Sequence, residues 1–157
     1  MKDTDDTDDY TAIAEITPDF TFVDDIFIRI ARKEREKGTK ALTDEQQVLL
    51  TVWHVAGIVE SGGLPSFLER KFDVEKVARA YEGVGMPKSA AILRKTLTIF
   101  PNARRSANSQ KVLQFIDEHE EFLKSLSSQF LRREKNLEAV LISYIQDHHA
   151  AFQEFME

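Results

Sequence analysis

Cysteine is absent from the 157 residues, so the chain has neither disulfides nor thiolate chemistry, and a reducing compartment such as the cytoplasm is compatible with it. The first ten residues, MKDTDDTDDY, lack the basic start and the apolar run of a secretory signal, so no export is expected. The longest mostly apolar run, Val48 to Val59, is well short of the ~20 residues that span a bilayer, and no membrane span is expected. Period-two alternation is missing, which removes the usual signal for half-buried strands. No 20- to 50-residue repeat is visible, which argues against a solenoid. His-Glu-x-x-His, Gly-x-Ser-x-Gly and the Walker glycine-lysine signature are also absent, so metalloprotease, hydrolase-elbow and nucleotide-binding readings lack positive support.

What is present is helical patterning. Between Val48 and Val59 only Thr51, His54 and Gly57 interrupt the apolar residues, and a helix apolar all round must be covered all round. Thr43 with Gln46 three positions on is a capping-box pattern, and Gly62-Gly63 supplies a stop. Ahead of this helix, Val23, Ile26, Phe27 and Ile30 form a one-sided stripe that ends at Gly38. After it, Pro65 opens a short segment anchored by Leu64, Phe67, Leu68 and Phe72. Asp73 caps the next helix, with Val74, Val77, Ala78 and Tyr81 on one side and Glu75 paired to Arg79. Lys88 to Phe100 forms another, closed by Pro101, and Asn102 to Ser109 is a polar loop. The last third holds two longer helices or one interrupted helix, from Val112 to Phe130 and from Leu137 to Phe155, with a polar break at Arg132 to Asn136. The expectation is an all-α bundle of about six or seven helices around a buried central helix. A chain of this length buries on the order of 68–70% of its unfolded surface, enough for a real core.

The net charge of -6 is unevenly spread. Residues 1–25 hold nine acids against Lys2, while the remainder has 18 acids and 20 bases. Residues 1–18 therefore read as an acidic, extended tail on a single domain spanning 19–157. Asp3, Asp5, Asp6, Asp8 and Asp9 are candidate interaction residues. So are Asp117, Glu118 and Glu121, which share one face of a regular helix and could imitate a row of phosphates, although plain solvated surface is the blander reading.

The remaining candidates weigh towards structure. His54 fits a hydrogen-bonded core or boundary position, and His148 and His149 point about 100° apart on a helix, a poor arrangement for one metal. No metal or cofactor is expected. Gly62-Gly63 ahead of Pro65-Ser66 fits a helix-to-helix turn better than an anion site. The basic pairs Arg94-Lys95 and Arg104-Arg105, with Arg132, Arg133 and Lys135, lack the aromatic interleaving of a nucleic-acid surface, so no direct nucleic-acid binding is expected.

A family resemblance rests on short motifs. Trp53 precedes Ser61-Gly62-Gly63-Leu64 and then Phe67, with Tyr81-Glu82-Gly83-Val84-Gly85-Met86 and Ala90-Ala91-Ile92-Leu93 farther on. These segments resemble the C-terminal domain family of a bacterial DNA-mimic protein, in which an Asn-Gly-Gly-Phe turn follows a helix containing Trp. Here Ser61 and Leu64 replace the Asn and the Phe, and the likeness runs from about Leu42 to Phe155. The resemblance implies an all-helical domain without catalytic residues that binds a basic or DNA-binding protein, often as a homodimer. The alternatives are an immunity-type inhibitor of a toxin, or a small hydrolase using His54 or His119 with nearby carboxylates.

Overall fold

The computed structural model describes residues 20–100 and 109–156. The acidic segment 1–18, with its candidates Asp3, Asp5, Asp6, Asp8 and Asp9, and most of the polar loop, including Arg104 and Arg105, lie outside the described residues. Within them there are seven longer α-helices, three 3-10 turns, a single-turn helix and no strand.

Helix α1 (Phe20–Lys37) buries Val23, Ile26 and Ile30 and ends where Gly38, at φ 89°, donates its N–H to the Glu34 carbonyl at 2.7 Å. Positive φ makes glycine the natural residue there. A 3-10 turn (Thr39–Ala41) leads to α2 (Asp44–Glu69). The capping box forms as expected: Gln46 N–H donates to Thr43 Oγ1, and Thr43 N–H to Gln46 Oε1, both at 3.1 Å. The buried Gln46 amide also donates to the Ala151 carbonyl at 2.7 Å and to Glu154 at 3.0 Å, while Lys33 donates to Glu154 at 2.9 Å. One side chain thus ties the start of α2 to both α1 and the end of the chain.

The glycine pair was expected to end this helix, but it bends it instead. Gly63, at φ 73° and ψ -175°, leaves helical geometry for one residue, and Pro65 begins a second limb that runs on to Glu69. The resulting rod has 26 residues and a mean hydropathy of 1.3 over its most apolar 18-residue window, so by length and composition it could cross a bilayer, unlike the shorter run considered above. In this fold it is the hub of the bundle, packing against α1, α3, α5, α6 and α8, whose ranges follow. Leu49, Val52, Val55, Val59, Leu64 and Phe67 are fully buried. The covering is incomplete, because His54, Gly57, Glu60 and Ser61 form an exposed stripe. Those are the polar or side-chain-free positions of an otherwise apolar rod, spaced three or four apart.

Helix α3 (Val74–Gly83) is capped by Asp73, whose Oδ1 accepts from Lys76 N–H at 3.2 Å, and packs along α4 (Pro87–Ile99). Arg94 clamps the two, donating to both Glu75 oxygens at 3.0 and 2.8 Å and to Glu82. The expected Glu75–Arg79 pair is looser, at 3.9 Å.

The last third divides more finely than periodicity suggests: α5 (Ser109–Glu118), α6 (Glu120–Arg133), a 3-10 turn (Glu134–Asn136), α7 (Leu137–Asp147), the single turn α8 (His149–Phe152) and a final 3-10 turn (Gln153–Phe155). Breaks fall at His119 (φ -123°, ψ 32°) and His148 (φ -118°, ψ 41°). Both use the same local device. Nδ1 of each histidine lies 2.9 Å from the carbonyl four residues back, so Nδ1 carries the hydrogen that this carbonyl accepts. Each ring also lies against the aromatic ring of that same residue, Phe115 or Tyr144, at 4.3 Å. Apolar spacing continues through such breaks, which is why the stripe alone did not reveal them.

Candidate functional site: a carboxylate-lined cleft beside the kinked core helix

The kink is a docking joint. Leaving helical geometry at Gly63 frees the Leu64 N–H, which donates to Ser127 Oγ on α6 at 2.9 Å. A Cβ at Gly63 would sit 3.1 Å from that hydroxyl, on top of the strain of positive φ, and one at Gly62 would meet Ser66 Oγ at 2.0 Å. Gly63 thus suits its positive φ, and any side chain at Gly62 would collide with that of Ser66. Leu64 and Phe67 follow directly and are fully buried. The amide that an anion would need is already engaged, so the turn is structural.

Beside this joint, between α1, the exposed stripe of α2 and the corner joining α6 to α7, lies a cleft of about 660 Å³. Ala56, Gly57, Leu131 and Leu137 form its apolar lining. Its polar lining holds four carboxylates, Asp24, Glu60, Glu134 and Glu138, against the single ammonium of Lys135. Trp53 completes the wall, with its indole N–H donating to Asp24 Oδ1 at 3.0 Å.

Glu134 is the unusual member. Tyr81, wholly buried, directs its hydroxyl at Glu134 Oε1 (3.3 Å) and at the Val52 carbonyl (3.4 Å), sharing one hydrogen over two long contacts. Glu134 Oε2 is buried and has no hydrogen-bond partner. Burial pushes the Glu134 carboxyl up to about 7; the Tyr81 hydrogen bond opposes the shift and the nearby Glu60 adds to it. The same surroundings raise Tyr81 well above the usual phenol value, chiefly by desolvation.

A model of the DMP19-like protein family matches residues 40–148, more than two thirds of the chain. The chain belongs to the DMP19-like protein family. That family is one of DNA-mimic, non-catalytic proteins, so the likeness drawn from short motifs is confirmed. No curated protein and no solved structure matches the chain.

In this DMP19-like domain the motif residues Trp53, Ser61, Gly62, Gly63, Leu64 and Phe67 fall on one rod, where the last four make the joint and Trp53 faces the cleft. The matched region takes in most of the cleft, though Asp24 lies ahead of it. Asp117, Glu118 and Glu121 are all exposed, but the break at His119 divides them between the end of α5 and the first turn of α6, so the single-helix stripe is interrupted. Glu118 also accepts from Gln114 at 3.0 Å.

The histidines do not converge. His54 is exposed and in ring contact with Phe27 and Phe72, at 6.4 and 5.6 Å, rather than in the core. Partial burial, followed by the nearby Arg70, lowers its pKa against the pull of Glu34. His119 and His148 serve the helix breaks, and His149 is exposed. Among the described residues no group of His, Asp and Glu could hold a metal ion. Of the basic residues, Arg94 is tied to Glu75 and Glu82, while Arg132 and Arg133 are exposed at the end of α6.

Sequence reasoning missed the cleft carboxylates. Asp24 is one of the nine acids of residues 1–25 but lies beyond the 1–18 tail, in the first helix, and Glu134 stands in the polar break at Arg132 to Asn136. Only Trp53 was singled out, and for a different reason.

Proposed function

We propose that this chain is a non-enzymatic interaction domain of the DNA-mimic type, which places its carboxylates on the DNA-binding surface of a basic protein. Membership of the DMP19-like family carries the reading. The cleft supports it, since Asp24, Glu60 and Glu138, joined by Glu134 as pH rises past about 7, outnumber the one lysine and make a local anionic surface on a body that is neutral as a whole. From residue 20 onwards the chain has 20 acids and 20 bases, so mimicry has to reside in patches rather than in the overall field. Asp117, Glu118 and Glu121, and the tail residues Asp3, Asp5, Asp6, Asp8 and Asp9, are the other carboxylates we assign to the contact. The cleft holds no histidine, and no observation favours the hydrolase or toxin-inhibitor alternatives.

The test is capture of partners from the source cell on the immobilised full chain, with binding followed as ionic strength rises. Charge-steered association weakens as the Debye length falls to ~8 Å near 0.15 M salt. The reading expects DNA-binding proteins that elute with moderate salt and that bind less well when the tail aspartates are changed to asparagine. Partners without DNA-binding activity, held regardless of salt, would overturn it.

A further inference from the structure

The cleft lies where the chain enters the fold. Asp24 lines it and accepts the Trp53 indole N–H at 3.0 Å, which pins the first turn of α1 to the cleft wall. Phe20, where α1 starts, is four residues ahead of Asp24, about 6 Å along a helix that rises 1.5 Å per residue. The chain that precedes α1 is therefore tethered at the edge of this cleft.

That preceding chain has two parts of different chemistry. Residues 1–9 carry Asp3, Asp5, Asp6, Asp8 and Asp9 against Lys2, whereas residues 10–18, YTAIAEITP, carry one charge, Glu15, and three larger apolar side chains, Tyr10, Ile13 and Ile16. A spacing of three sets those side chains on one side of a helical or polyproline turn. The cleft matches the second part: Trp53, Ala56, Gly57, Leu131 and Leu137 give it an apolar wall, and its single ammonium, Lys135, suits the single carboxylate.

We propose that residues 10–18 of this chain dock in the cleft, with Tyr10, Ile13 and Ile16 against its apolar wall, so that the aspartates of residues 1–9 are held beside Asp24, Glu60 and Glu138. Burial of apolar surface drives the contact. A short tether presents the segment at an effective concentration on the order of millimolar, so even a weak intrinsic affinity fills the site. Like charge decides which part enters, because the cleft carboxylates repel residues 1–9 and leave them outside at its rim. The inference deepens the mimic reading, since it merges the tail and cleft carboxylates into one anionic surface, and it rests on that reading only for the use made of the surface.

The chain has no cysteine, so two introduced ones report proximity without interference. The test is made on the full chain carrying Ala14→Cys with Gly57→Cys, where an added Cβ meets nothing within 4 Å. The control pairs Ala14→Cys with Arg32→Cys, exposed on α1 at about 18 Å from Phe20 and within reach of an extended chain. Under a glutathione redox buffer the Gly57 pair is expected to close within one chain at least tenfold faster than the control, and as fast or faster at higher salt, because screening relieves the repulsion. Equal rates, or closure by disulfide-linked dimers, would overturn the proposal, the latter assigning the cleft to a second copy. A Gly57 pair that loses its lead at moderate salt would also overturn it, pointing instead to the basic end of α1, where Arg32, Arg35 and Lys37 are exposed.

Trp53, the only tryptophan, gives a second readout. In the variant Ile13→Asp with Ile16→Asp, acrylamide should quench its fluorescence at least twofold more strongly than in the natural chain, with circular dichroism verifying the fold; unchanged quenching would overturn the docking. Salt-sensitive capture of DNA-binding proteins without docking would sink this inference alone, and docking without DNA-binding partners would sink the mimic reading alone.

Discussion

Replacing Glu134 by glutamine should make the protein more stable at alkaline pH and remove a pH dependence that the natural chain carries. The folded state holds this carboxyl at about 7, against an ordinary 4.5, because burial disfavours its charge. Below pH 4.5 the group is protonated in both folded and unfolded chains and imposes no penalty. Between 4.5 and 7 the unfolded chain gives up the proton first, so folding binds a proton and stability falls as pH rises. Above 7 the full difference applies, roughly 3 kcal/mol at about 1.4 kcal/mol per tenfold change in proton affinity. For a chain of this size that corresponds to a melting temperature lower by about 6–12 °C, at roughly 2–4 °C per kcal/mol. His54 acts in the opposite sense, since its lowered pKa adds stability as pH rises, so the informative quantity is the difference between natural chain and variant at each pH. Thermal and urea unfolding followed by circular dichroism at pH 5 and pH 8 gives that difference. Glu134→Gln is expected to be close to the natural chain at pH 5 and clearly more stable at pH 8. The same difference at both values would refute the idea that an ionisable, desolvated carboxyl sits at this corner.

Three further substitutions examine the scaffold. Gly63→Ala forces a Cβ into positive φ and to within 3.1 Å of the Ser127 hydroxyl, and should cost about 1–2 kcal/mol in urea unfolding. Ser127→Ala strips the Leu64 N–H of its partner and should cost about 1–3 kcal/mol, with little added loss in the double variant if both act at the same joint. Gln46→Ala removes half of the capping box and the bond to the Ala151 carbonyl. It should cost about 1–3 kcal/mol and speed amide exchange in the last two turns of the chain.

How much was legible in the sequence depended on the kind of signal. Helices whose faces are sorted by polarity were readable: Val23, Ile26 and Ile30 are buried on one side of α1, and the Thr43–Gln46 box forms as its spacing implies. The hub position of α2 was also readable, because an apolar rod has to be covered. Its bend was not. Glycine pairs end helices and bend them alike, and only the Ser127 hydroxyl waiting on α6 decides between the two. The breaks at His119 and His148 escaped because the apolar stripe runs through them and the aromatic-to-histidine spacing of four is too common to stand out. The cleft was the least visible feature. It is assembled from α1, α2 and the α6–α7 corner, and a glutamate beside Arg133 and Lys135 looks like any surface charge until packing desolvates it. Its partner Tyr81, by contrast, was correctly placed in the core from its helical spacing.

The most direct trial of the mimic reading is competition. A DNA-binding protein captured by this chain is bound to a fluorescent duplex, and the full chain is titrated in while anisotropy is recorded at low and at moderate salt. The account predicts that the duplex is displaced stoichiometrically at low salt, that displacement weakens as salt rises, and that changing the tail aspartates to asparagine weakens it further. A partner that holds the duplex and this chain together, with anisotropy unchanged or raised, would contradict it.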